Sequence, residues 1–133
     1  MACCLLFFND APIPTDPRAF RPHEFQISMM EGLTKNQPVC CLAYFCAPCC
    51  AYYTRYRVLD NDLSRYTCCQ GYLAPCGCQA GSCGESSCPL LCLVLEAGCC
   101  PGPSMSTSRL YLMDKYQLRS DPMDNQIMRC NNW

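Results

Sequence analysis

Apolar positions recur at helical spacing in several short stretches, separated by runs of proline, glycine and cysteine. Tyr52, Tyr56 and Leu59 share one face of a helix predicted over residues 49–59, with Tyr53 at its flank. Arg55 and Arg57 in the same stretch read as a solvated face, or as contacts for lipid phosphates. A second helix is predicted over residues 88–97. Ser87 caps it, Pro89 lies in its first turn and Gly98 ends it. Leu90, Leu91, Val94 and Leu95 are its aliphatic part, and the four-residue spacing puts Cys88 and Cys92 on one side. A third helix is predicted over residues 105–118, with Met105, Leu112 and Tyr116 on one face and Leu110 and Met113 beside it. Asp121 at an N-cap and Pro122 at the first helical position start a fourth, to about residue 129. Pro22 and Gly32 bracket a short helix over residues 22–32. Little sheet is expected.

Between these elements the pattern changes. Residues 1–22 carry four of the 11 prolines, which fix φ and remove a donor, so they read as an extended arm with few contacts to its own domain. Residues 23–133 then form the cysteine-rich domain. Residues 63–87 alternate glycine, cysteine and polar residues and have little apolar surface to offset the entropy of ordering them. Neither of the two longest apolar stretches reads as a membrane span. Residues 36–54 contain Pro38 and Pro48, and residues 87–108 are interrupted by Glu96, Gly98, Pro101, Gly102 and Pro103.

Composition sharpens this picture. The chain has 133 residues, of which 17 are cysteine and 16% are charged. Cysteine at about 13% exceeds the roughly 8–10% that marks a cysteine-built scaffold. A small domain with few aliphatic residues needs disulfides, metals or partners to supplement its core. The net charge of −1, with both signs scattered and no basic patch, argues against nucleic acid. The first residues lack a positive region before the short apolar run, so they do not read as a secretory signal. A cytosol-facing protein keeps its thiols reduced, the cysteine count is odd, and neighbouring cysteines pair poorly. Zinc or another thiophilic metal is therefore favoured. Disulfides and buried free thiols are the alternatives.

The stretch CCLAYFCAPCC, residues 40–50, is read as one wall of a metal-organised core. Its C-A-P-C places Cys46 and Cys49 at a spacing that lets two thiolates reach one tetrahedral ion. The candidate ligands are Cys40, Cys41, Cys46, Cys49, Cys68, Cys69, Cys76, Cys78, Cys88, Cys92, Cys99 and Cys100. One member of Cys40-Cys41 and one of Cys99-Cys100 are expected to join Cys46 and Cys49. Cys76 and Cys78 are expected to meet Cys88 and Cys92, or Cys68 and Cys69, at a second site. The single histidine, His23, reads as a surface residue, or as the last ligand of a Cys₃His site. Cys3 and Cys4, beside an apolar run, are candidates for S-palmitoylation; otherwise the arm docks on the domain or on a neighbouring subunit.

The stretches CCLAYFCAPCC, CCQGY, GCCPGPSMSTSRLYLMDKYQL and SDPMDNQIMRCNN, in this order, resemble the placenta-specific-8 family of cysteine-rich proteins. The similarity is greatest to its plant, algal and protist branch, which is similar to cell-number regulators and cadmium-resistance proteins, and it covers roughly residues 37–132. Cys40, Cys41, Cys46 and Cys49 occupy the family's paired-cysteine and C-P-C pattern, with Ala47 lengthening C-P-C to C-A-P-C. The resemblance implies a small membrane-associated protein, linked to organ size, heavy-metal tolerance or calcium entry, with no catalytic residue to carry over.

The expected fold is a small, mainly α, loop-rich single domain organised by cysteine and metal. The expected function is a non-catalytic structural or interaction protein, stabilised by one or more zinc ions. It sits on the cytosolic face of a membrane or in a larger assembly of protein subunits. Heavy-metal binding or transport, of zinc or cadmium, is the alternative. A thiol redox protein is weaker, because no βαβ pattern surrounds the C-x-x-C and one histidine is the only candidate base.

Overall fold

The computed structural model describes residues 11–72 and 80–131. Six α-helices occur among them: α1 (Met29–Lys35), α2 (Gln37–Phe45), α3 (Ala47–Val58), α4 (Pro89–Cys99), α5 (Pro101–Tyr116) and α6 (Pro122–Asn131). Short 3₁₀ turns lie at Pro17–Phe20, Leu63–Arg65 and Cys68–Gly71, and no strand is present among the described residues. The protein is mainly helical, loop-rich and cysteine-rich. It divides into two compact units: the chain up to Gln37 together with the chain from Leu112, and Pro38–Tyr111.

Proline sets the starts of several helices. Pro48 is the second residue of α3 and Pro89 the first of α4, positions where an N–H would have no intrahelical partner. Pro101 and Pro122 open α5 and α6. The predicted helix over residues 22–32 is displaced. Ser28 caps α1 instead, its hydroxyl accepting from the Glu31 N–H at 3.2 Å, so Gly32 lies inside the helix. Residues 101–103, the Pro-Gly-Pro that interrupts the apolar stretch, are the first turn of α5.

In the Pro38–Tyr111 unit the core is small. Leu59, Tyr66 and Leu93 are enclosed, with Tyr52, Leu63 and Cys92 packed against them. They come from α3 and its C-cap, from α4, and from the 3₁₀ turn at Leu63–Arg65 and its C-cap. Tyr52 and Tyr56 stack with ring centroids 6.1 Å apart. Arg55 departs from its predicted place on a solvated face. It has no exposed surface, whereas Arg57 is exposed as expected.

The other unit is tied together by charge. The Arg18 guanidinium donates to both carboxylate oxygens of Asp114, each at 2.8 Å, and Arg21 donates to the same carboxylate at 2.8 Å and to the Met113 carbonyl at 2.6 Å. Residues 11–22 are thus not the contact-poor arm that their prolines predict. The 3₁₀ turn at Pro17–Phe20, capped by Asp16, aims two arginines at the end of α5. Forked, charge-assisted bonds exceed the roughly 0.2–1 kcal/mol of an isolated exposed pair. Asp114→Ala is expected to destabilise this unit by about 1–2 kcal/mol. Limited trypsin digestion should then cut after Arg18 about 5–30 times faster than in the parent protein.

Candidate metal centre

The segment between α3 and α4 folds back on itself to bring thiols and carboxylates together. Asp62 caps the turn at Leu63–Arg65, its side chain accepting from the Ser64 N–H and hydroxyl. These bonds hold the Asp62 carboxyl below the usual carboxylate range. Tyr66 then enters the core, and the turn at Cys68–Gly71 follows. Here Cys69, Gln70 and Gly71 all have positive φ, at 48°, 48° and 73°. For Cys69 and Gln70 this left-handed backbone costs roughly 1–2 kcal/mol each. It turns the chain sharply, so that two adjacent cysteines do not point apart as they would in a strand.

Two carboxylates hold this turn. Glu85 is buried. It accepts from the Cys68 N–H at 3.2 Å and from the Gly81 N–H, and Gly81 has the positive φ, 88°, that the bend requires. Glu96, from α4, accepts from the Tyr66 hydroxyl at 2.8 Å and from the Cys69 N–H at 3.0 Å through one oxygen. Its other oxygen is buried and has no hydrogen-bond partner among the described residues; the Arg55 guanidinium stands 3.9 Å away. Arg55 donates to Thr107 and Ser108 of α5, at 3.3 and 3.4 Å. Burial pushes the Arg55 pKa down, and Glu96 opposes the shift. Burial and the bond to Glu96 push the Tyr66 hydroxyl well above its ordinary value, so it remains a donor.

Two sets of donor atoms result. Cys68, Cys69 and Glu96 form one, and Cys68, Cys83 and Glu85 form the other; within each set the atoms lie within 4.8 Å of one another. Thiolate and carboxylate donors at this spacing suit a tetrahedral zinc-like ion. Cys92 flanks the second set. Its thiol donates to the Cys83 carbonyl at 3.4 Å. Burial, then Cys83, Glu85 and Cys88, push its pKa up.

No family model, curated protein or solved structure matches this chain.

Of the predicted ligands, Cys68 and Cys69 come together; Cys92 lies beside Cys83, with Cys88 near it, and neither belongs to a donor set. Cys46 and Cys49, predicted to share an ion, are instead joined by a disulfide. The physical reason is local. α2 ends at Phe45, α3 begins at Ala47, and the non-helical Cys46 caps the first turn that contains Cys49. A disulfide offers no thiolate to a metal. Cys41, Cys99 and Cys100 are exposed free thiols and belong to neither donor set. His23 is exposed, as its surface reading predicts; its carbonyl accepts from the Arg119 N–H at 2.6 Å. Cys3, Cys4, Cys76 and Cys78 lie outside the described residues, as does the side chain of Cys40.

Sequence reasoning missed Cys83, Glu85, Glu96 and Arg55. A signal existed for two of them. Arg55 is three residues after Tyr52 and four before Leu59, so it shares their inward face. Glu96 is three residues after Leu93 and lies on the core side of α4. Cys83 and Glu85 sit in a run of glycine and serine with no periodicity to place them.

Proposed function

We propose that this protein is a non-catalytic structural or interaction module whose middle segment is held by zinc. The observation that carries this reading is the convergence of Cys68, Cys69, Cys83, Glu85 and Glu96 on one turn. A loop so poor in apolar side chains has little else to offset its ordering entropy, and ligation of a divalent ion provides it. The resemblance to the placenta-specific-8 family belongs to the same proposal.

Docking is the second half of the reading. Leu42, Tyr44 and Phe45 of α2 are exposed, the last two above 80%. So are Leu90, Leu91, Val94 and Leu95 of α4. An open apolar depression of about 320 Å³, lined by Pro48, Cys49, Tyr52, Val94, Ala97 and Gly98, lies between α3 and α4. Such surfaces suit a membrane surface on its cytosolic face, or subunits of a larger assembly. No helix among the described residues is long and apolar enough to cross a membrane.

Heavy-metal handling is a second reading, favoured by the exposure of Cys83, which leaves one donor open to exchange. Metal analysis of the purified protein tests the common core of both. Bound zinc or cadmium is expected, lost in Cys68→Ser/Cys69→Ser and retained in Cys46→Ser/Cys49→Ser. Full metal content in the first double variant would refute the centre.

A further inference from the structure

We infer that the centre holds two divalent ions rather than one, with the Cys68 thiolate as the bridge between them. The inference rests on the metal-binding reading above and adds its stoichiometry, its ligand division and the different fates of the two ions.

Cys68 is common to both donor sets. A thiolate sulfur has lone pairs enough to bind two soft cations at once, whereas its partners each face one side. Cys69 and Glu96, with Tyr66 and Arg55 beside them, make the set termed inner; Cys83 and the buried Glu85, with Cys92 next to Cys83, make the set termed outer because Cys83 is exposed.

Charge admits a second ion. A thiol gives up its proton only where it meets an ion. Cys68, Cys69 and Glu96, with Arg55 beside them, balance one divalent ion, and Cys83 and Glu85 supply the two further negative charges that balance a second. Each ion is thus taken up without the uncompensated buried charge that costs several kcal/mol. The oxygen of Glu96 without a hydrogen-bond partner is an independent mark of a missing cationic neighbour on the inner side. It is buried, and Arg55, the cation that stands near it among the described residues, is 3.9 Å away, beyond hydrogen-bond reach.

The two ions differ in access. The inner one is enclosed, since Cys69 and Glu96 are 3% and 8% exposed. The outer one is bound partly by the exposed Cys83. The inner ion is therefore structural and the outer ion exchangeable.

The test uses the full chain, stripped of metal and titrated with cadmium, with stoichiometry read by native mass spectrometry and bridging read by ¹¹³Cd NMR. The expected result is two bound ions with scalar coupling between the two cadmium nuclei. Cys83→Ser and Glu85→Gln should each leave one ion tightly bound, and Cys68→Ser should weaken both ions at least about tenfold. If Cys68→Ser does not fold, the other two variants and the coupling decide. A competing chelator should remove one ion at least about ten times faster than the other. A wild-type protein that binds one ion overturns the bridged pair and leaves the metal-binding reading standing. One that binds none overturns both. Two uncoupled ions, or two ions retained by Cys83→Ser, also overturn the bridge.

Discussion

Replacing Arg55 with methionine is expected to destabilise the Pro38–Tyr111 unit by about 3–5 kcal/mol, the usual consequence of removing one partner of a buried ion pair. Methionine preserves most of the stem volume, so the loss reports charge and hydrogen bonding more than a cavity. Arg55 has no exposed surface, and its side chain faces Glu96 as well as the Thr107 and Ser108 hydroxyls. Without it Glu96 stays buried as an uncompensated anion, still accepting from Tyr66 and Cys69. Adding Glu96→Gln removes that charge while keeping an acceptor. The double variant should then be more stable than the sum of the two single changes predicts, by about 1–3 kcal/mol. Urea unfolding with a chelator present separates this effect from metal loss. A single variant within about 1 kcal/mol of the parent would show that the pair does not hold α3 to α4.

Metal removal is the second large effect. A ligand that binds only the folded state at a thousandfold excess over its Kd adds about 4 kcal/mol. For a chain of this size, each kcal/mol corresponds to roughly 3–5 °C. A strong chelator is therefore expected to lower the thermal midpoint by about 10–20 °C. Far-ultraviolet circular dichroism at 25 °C should change much less, because neither donor set draws a ligand from α3, α5 or α6. Proteolysis should concentrate between residues 66 and 88. An unchanged midpoint together with full metal loss would mean that the ions do not hold the loop.

The helices that were legible in the sequence are those with a proline start and a periodic face. α3, α4 and α6 begin within two residues of their predicted positions, and α5 begins four residues early. α2 was hidden by its cysteines. Residues 40–45 read as a ligand wall, although cysteine is an ordinary helix residue and the apolar side chains beside it are exposed. α1 was displaced because Pro22 and Gly32 suggested its ends, while the Ser28 and Glu31 pair three residues apart was the stronger start. The centre was half legible. Neighbouring thiols marked Cys68 and Cys69, but their partners are acidic residues brought from 17 and 27 residues further along by backbone hydrogen bonds. No spacing rule encodes such a return, and the left-handed turn that makes it possible occurs partly at residues other than glycine.

α4 turns one face inward, with Leu93 and Glu96, and leaves Leu90, Leu91, Val94 and Leu95 outside. The same helix would thus meet a bound ion through one side and any apolar partner through the other. Thermodynamic reciprocity ties the two events. If a bound ion steadies α4 and so tightens docking by some factor, docking must tighten the ion by that same factor. A lipid surface or subunit that grips only the ordered helix would then act as an effector of metal affinity. Release from that surface would loosen the ion without any change in pH, redox state or free metal.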